Sequence, residues 1–250
     1  MKVLVLGGTG LIGSRVVRLL RERNVDVVQG SSSTVDLLTG RGLAEALRGV
    51  QVVIDLTNSP SFEDAAVMNF FQTSARNLFP AEKAAGVQHH VALSVVGADR
   101  MVDLGYMRAK VAQEEAIKAS GISYTIVRAT QFFEFIGSLA DAATDGQAVH
   151  LSSVQMQPLA ADDIAAAVAT IALQAPTNGY INVAGPERRA MNDFARELLQ
   201  FKHDPRQVIT DPSASYFGGK IPSDALFPDQ AGMTGSVRFS EWLVRTQTHG

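Results

Sequence analysis

The sequence contains no cysteine among its 250 residues. Disulfides and thiolate metal sites are therefore excluded. The lack fits a reducing compartment. Long apolar runs are missing too, and none approaches the roughly 20 residues needed to cross a bilayer. The apolar run near the N-terminus is too short for a signal peptide and ends in glycines. Charge of one sign is also scarce: 22 Lys and Arg face 25 Asp and Glu, for a net charge of −3. Without a basic block there is no footprint for nucleic acid. The expectation is a cytoplasmic protein with neither membrane nor nucleic acid as partner. What is present is an ordinary globular composition, 46% hydrophobic and 19% charged. The chain is long enough for one large α/β domain or a domain carrying a small lobe.

The most informative stretch is Lys2 to Gly13. Val3 to Leu6 is an unbroken apolar run, as expected of a strand buried on both faces. Gly7, Gly10 and Gly13 follow at even spacing, and Leu11 to Leu20 then repeats its apolar residues at helical intervals. Strand, glycine turn and helix in that order is the context a dinucleotide fingerprint requires. Gly7 permits the sharp turn at the strand end. Gly10 lets a pyrophosphate approach the main chain, and Gly13 lets helix and strand pack closely. The free N–H groups of the helix start face the phosphates. Gly7, Thr9, Gly10, Leu11, Ile12 and Gly13 are thus candidate cofactor contacts.

The strand–helix alternation continues, with strands expected at Val25–Gln29, Val50–Leu56, His90–Val95, Ser123–Val127 and Tyr180–Ala184. Helices are expected at 43–47, 62–86, 106–120 and 164–173. Strict alternation points to a parallel, doubly wound sheet of Rossmann type. The second strand lacks the acidic residue that would hold the ribose 2′-OH of NAD. It ends instead in Gly30-Ser31-Ser32-Ser33-Thr34. These hydroxyls either receive a 2′-phosphate, with Arg15 or Arg41 in reach, or form a plain polar turn. The reading leans to NADP(H) over NAD(H). Leu56, Thr57, Asn58 and Ser59 end another strand and should lie over the cofactor. His89 and His90 are neighbours on a strand and point to opposite faces, so they do not suit one metal ion.

Ser94 sits near the end of a strand. Tyr106 follows twelve residues later and Lys110 four after that. Positions i and i+4 share a helix face, so Tyr106 and Lys110 point the same way. Hydride delivery to a carbonyl carbon leaves charge on oxygen, and that oxygen takes a proton. A tyrosine hydroxyl supplies one when its pKa is brought down from about 10, which a neighbouring ammonium favours. A serine hydroxyl holds the substrate oxygen, and the lysine also suits the nicotinamide ribose. Ser94, Tyr106 and Lys110 are the candidate catalytic set. The alternative is that Tyr106 merely starts a helix and Lys110 is a solvated face residue.

The turn G-G-T-G-L-I-G resembles that of the short-chain dehydrogenase/reductase superfamily, in its extended and atypical branches. The segments A-L-S-V-V-G at 92–97, G-Y-M-R-A-K-V-A-Q-E at 105–114, Y-T-I-V-R-A-T-Q-F-F-E-F at 124–135 and P-L-A-A-D-D-I-A at 158–165 look like its NmrA-like NAD(P)-binding members. The resemblance implies that Asp36, with Leu37 beside it, contacts the adenine. It implies that Arg128, Ala129 and Thr130 line the nicotinamide side. It also implies that the segments after about residue 185 form a small substrate lobe over the carboxyl edge of the sheet. The expected division is 1–185 for the dinucleotide domain and 186–250 for that lobe. In this superfamily helices 62–86 and 106–120 often form a dimer face, so either a monomer or a homodimer is expected.

Gln131, Phe132 and Phe133 follow directly and are candidate substrate contacts, although the phenylalanines equally suit packing of the lobe. Asp162 and Asp163 suit an N-cap and first turn, and Asn192 suits a cap for the helix through Lys202. Residues 204–236 read as a long loop of the kind that forms lids, with Tyr216 and Phe217 its candidate closing residues. Trp242 should anchor a terminal helix over Phe239–Arg245. The expected function is an NAD(P)H-dependent oxidoreductase acting on a small carbonyl or hydroxyl compound. The alternatives are a binding protein that senses the dinucleotide, or an epimerase or isomerase that uses it transiently.

Overall fold

A computed structural model describes residues 1–247. The first half alternates strand and helix: β1 (Lys2–Leu6), α1 (Leu11–Glu22), β2 (Asp26–Gln29), α2 (Leu43–Ala46), β3 (Val52–Asp55), α3 (Asp64–Ala85), β4 (His89–Val95), α4 (Gly105–Ala119) and β5 (Tyr124–Ala129). Then come α5 (Ile136–Ala142), the short strands β6 (Thr144–Asp145), β7 (Ala148–Leu151) and β8 (Gln155–Met156), and α6 (Ala161–Ile171). The chain closes with β9 (Gly179–Ala184), β10 (Arg189–Ala190), α7 (Met191–Phe201), β11 (Gln207–Thr210), β12 (Met233–Thr234) and α8 (Phe239–Gln247).

The main sheet has seven strands in the order β12-β9-β5-β4-β3-β1-β2, and every pairing is parallel. Strand periodicity sorts its residues between two faces. Val3 and Val5 of β1 pack with Ile12, Val16 and Leu20 of α1 and with Ile164 and Val168 of α6. Leu4 and Leu6 pack on the other side with Leu43, Leu47 and Leu78. The sheet is thus doubly wound, and β1 is buried on both faces. A fully buried Leu or Val side chain is worth about 1.5–3 kcal/mol, which is why β1 reads as one apolar run. The chain leaves β1 for β2 on one side, then crosses to β3 on the other. That reversal opens a crevice at the carboxyl ends of β1 and β3, where ligands of such sheets bind.

The small lobe draws on two stretches of chain. Phe133, Ile136, Leu139 and Leu151 share one core with Met191, Phe194, Leu198 and Phe239. β6, β7 and β11 form one small sheet and β8 with β10 another, while β12 returns to the main sheet. The segment after 186 therefore folds around residues 133–156.

Two expected caps do not form. Ala190 is the N-cap of α7, and Asn192 lies buried in its first turn, donating from Nδ2 to Thr210 Oγ1 at 2.8 Å. Ala160 is the N-cap of α6, while Asp162 and Asp163 do stand in its first turn. Asp163 instead accepts the backbone N–H groups of Ser236 and Val237, both at 3.0 Å, which ties down the chain after β12. Asp162 pairs with Arg15 at 2.8 Å. Trp242 does anchor α8: it stacks on Phe239 at 5.7 Å and donates to Glu134 at 3.2 Å.

Candidate active site

The turn after β1 requires its glycines. Gly7 has φ +72°, and a Cβ there would lie 2.8 Å from the Leu56 carbonyl oxygen. A Cβ on Gly13 would sit 2.1 Å from the Gly7 carbonyl oxygen, so only glycine lets α1 approach its strand this closely. Gly10, the N-cap of α1, is extended and offers no side-chain cap, and no acidic residue stands in the first turn. The helix start therefore presents uncapped N–H groups and a positive dipole end. This arrangement fits a pyrophosphate.

The turn opens onto a cavity of about 730 Å³ at the carboxyl edge of the sheet. Of the candidate cofactor contacts, Gly7, Thr9, Gly10, Leu11, Ile12, Gly13, Ser31, Ser32, Asp36, Leu37, Leu56, Thr57, Asn58, Ala129 and Thr130 line it. Ser94, Tyr106, Lys110, Gln131 and Phe132 line it as well. Four candidates do not: Ser33, Ser59, Phe133 and Arg128. The Ser33 hydroxyl turns to Ser31 Oγ at 2.7 Å. Ser59 is buried and accepts the Ser61 N–H. Phe133 is fully buried in the lobe core, 5.0 Å from the Phe239 ring and 5.8 Å from Trp242. Its side chain packs the lobe core with Ile136, Leu139 and Phe194. Phe135 lines the cavity in its place, as does Tyr216. Tyr216 is buried against Phe217, which points outward and is exposed.

The serine turn is braced by Arg41, which donates to the carbonyls of Ser33 and Ser32 at 3.0 and 3.2 Å. Arg15 is held by Asp162 and the Leu11 carbonyl. Neither arginine lines the cavity. Asp36 accepts the N–H groups of Leu38 and Thr39. Hydrogen bonds from Thr39 and Leu38 hold its carboxyl below the usual range.

Beneath the catalytic candidates lies a buried polar layer. Lys110 donates to the Leu93 carbonyl at 2.8 Å and to Gln113 Oε1, and lies 4.6 Å from the Phe71 ring. Gln113 in turn donates to Asp55 at 3.1 Å. Burial pulls the Lys110 ammonium down to about 8, opposed by the charges of Asp55 and Glu114. Burial pushes the Tyr106 phenol up to about 12, opposed by its hydrogen bond with Asn58. Among the described residues no hydrogen bond joins Lys110 to Tyr106. The expected lowering of the tyrosine pKa by lysine is not seen here: burial dominates the Tyr106 shift and only Asn58 opposes it, while Lys110 directs N–H groups to Leu93 and Gln113. Arg128 is also placed differently from expectation. It alternates with Ala129 along β5 and turns away from the cavity, donating to Glu114 and Asp99 and lying 4.5 Å from the Tyr180 ring.

His89 and His90 are buried apart. His89 Nε2 meets Thr125 Oγ1 at 2.9 Å, and His90 Nδ1 meets Glu82 at 2.9 Å. Burial drives His89 down to about 4. Burial also opposes the charged form of His90, but the Glu82 carboxylate outweighs it and raises His90 above its usual value.

Sequence reasoning missed Asp55, Gln113 and Glu114. The signal was available: Gln113 and Glu114 follow Lys110 by three and four residues, on its own helix face, and Asp55 is the lone charge in a buried strand.

The crevice at the switch point, the glycine cradle and the uncapped helix start define a dinucleotide-binding Rossmann protein. Residues 7–175 match the family described as NAD(P)H-binding, and the chain belongs to that family. An NAD(P)H azoreductase of Xenophilus azovorans is 32% identical over 217 residues, covering 78% of this chain and 72% of that protein. A photosystem II assembly factor Ycf39 of Cyanophora paradoxa is 28% identical over 174 residues, covering 61% of this chain and 53% of that protein. The chain thus spans about half the length of that second relative. Among solved structures, a dTDP-4-dehydrorhamnose reductase of Bacillus anthracis in complex with NADP shares the fold with a TM-score of 0.77 at 15% identity, covering 99% of each chain. No helix among the described residues is long and apolar enough to cross a membrane.

Proposed function

We propose that this chain is an NAD(P)H-dependent reductase of a small, partly apolar carbonyl compound. The observation that carries the reading is the meeting of Ser94, Tyr106 and Lys110 with the glycine cradle in one cavity. When bound, the nicotinamide supplies the hydride that the carbonyl carbon takes. Tyr106 Oη gives the proton to the carbonyl oxygen. Burial keeps this phenol in its protonated, donating form in the free protein. Ser94 meets an oxygen of the substrate. Lys110 stands as a buried cation behind the tyrosine and toward the ribose. Phe132, Phe135 and Tyr216 form the apolar wall, and Gln131 is the polar group on it, its buried amide facing the Tyr216 phenol. The azoreductase relative supports a reductive role.

The coenzyme preference is proposed as NADP(H), on the hydroxyls of Ser31 and Ser32 at the cavity wall. A second reading, a dinucleotide-sensing protein without turnover, is favoured by the absence of a bond between Lys110 and Tyr106. Titration of NADPH and NADH, followed by a panel of ketones, aldehydes, quinones and azo dyes, separates the two. Loss of reduced coenzyme with any acceptor supports the reductase. Tight coenzyme binding with no turnover across the panel supports the sensor.

A further inference from the structure

Tyr216 reaches the cavity from the small lobe, not from the main sheet. Its backbone N–H donates to the Gly219 carbonyl at 2.8 Å, and the Gly219 N–H returns a bond to the Tyr216 carbonyl at 3.1 Å. Between them Phe217 and Gly218 have φ +48° and +85°, so residues 216–219 close a tight turn with two left-handed central residues. That conformation is natural for Gly218 and strained for Phe217, and strain of this kind gathers at functional sites. The turn buries Tyr216 to 7% exposure and leaves Phe217 exposed. It is seated on the start of α4: a Cβ on Gly219 would lie 2.6 Å from Leu104 Cδ2, two residues before Tyr106. Leu104, Tyr106 and Tyr216 pack in one apolar cluster.

Tyr106 and Tyr216 both line the cavity, and each phenol has an amide beside it, Asn58 for Tyr106 and Gln131 for Tyr216. Burial pushes the Tyr216 phenol up, Gln131 opposes the rise, and the nearby Tyr106 phenol adds to it. The two phenols are thus within electrostatic reach of each other, and both stay protonated and able to donate. The Ser94 hydroxyl, by contrast, is engaged with Glu114 Oε1 at 2.6 Å.

Resting on the carbonyl-reductase reading above, we propose that Tyr216 is a second catalytic phenol, which donates a hydrogen bond to the same substrate oxygen that Tyr106 protonates. The carbonyl carbon takes the coenzyme's hydride, its oxygen takes the Tyr106 proton, and Tyr216 keeps its own proton throughout. The bond from Tyr216 strengthens as charge builds on that oxygen, so it acts on the chemical step more than on substrate binding. Gln131 is the positioning residue of this phenol.

The test is NADPH oxidation by wild-type protein and by Tyr216→Phe, with 4-nitrobenzaldehyde, acetophenone and 9,10-phenanthrenequinone as carbonyl probes. The variant keeps the ring and its packing, so its melting temperature and NADPH affinity should stay as in wild type. Its kcat should fall about tenfold or more, with KM little changed. An unchanged kcat, or a change confined to KM, would make Tyr216 a wall residue only and overturn the proposal while the reductase reading stands. A crystal structure with NADP+ and 4-nitrobenzyl alcohol checks the geometry without turnover. An alcohol oxygen within hydrogen-bond distance of both phenols supports the proposal, and one out of reach of Tyr216 refutes it. If wild-type protein binds NADPH and reduces none of the three probes, the carbonyl reading itself falls and this role of Tyr216 falls with it.

Discussion

Lys110 is a lysine in an unusual place, buried at 3% exposure with its charge held by a carbonyl, an amide and the field of two carboxylates. Its ammonium titrates near 8 rather than 10.5. Turnover that relies on this charge should fall as pH rises through about 8. Lys110→Met, which keeps the bulk and removes the charge, should lower the rate and erase that alkaline limb. A limb that persists in the variant would assign it elsewhere. Stability moves the other way. The unfolded lysine keeps its proton to about 10.5, so the unfolded chain binds more protons between about 8 and 10.5, and folding becomes more favourable with pH across that window. At this scale the sequence was readable where spacing carries meaning. Ser94, Tyr106 and Lys110 could be found because strand end and helix face fix their directions. Glu114 and Asp55 stand out by position, but their pairing with Arg128 and Gln113 does not, since each partner is on another element.

At the scale of elements, the alternation of apolar runs and amphipathic stretches revealed nearly every strand and helix of the main sheet. The caps were misread because Asn192 and Asp163 answer to tertiary partners, Thr210 and the chain at Ser236, which local sequence does not show. β4 enters the sheet with two buried histidines of opposite habit. His89 titrates near 4 instead of 6.5, so the unfolded chain binds the extra proton and stability is lost as pH falls from about 6.5 to about 4. One such proton is worth about 1.4 kcal/mol per pH unit. His89→Gln keeps a donor for Thr125 and should flatten this loss in denaturant titrations across the window. An unchanged slope would contradict the burial argument.

At the scale of the whole molecule, the sheet edge is one wall of the cavity and the lobe is the other. The division expected at residue 186 missed that residues 133–156 build the lobe as well, because their strands are two to four residues long and carry little periodicity. Phe133 joins the two stretches. Its removal in Phe133→Ala should cost about 3–5 kcal/mol, read as a lowered melting temperature, while the folded protein keeps its coenzyme affinity. A variant of wild-type stability with altered substrate KM would instead place that ring in the site.

The central claim is that a protonated phenol above a nicotinamide cradle completes the reduction of a carbonyl. The most direct measurement is single-turnover decay of bound NADPH with an accepted carbonyl compound, in wild-type protein and in Tyr106→Phe. The account predicts equal NADPH affinity and a decay at least about 100-fold slower in the variant. Equal decay rates in the two proteins would contradict it.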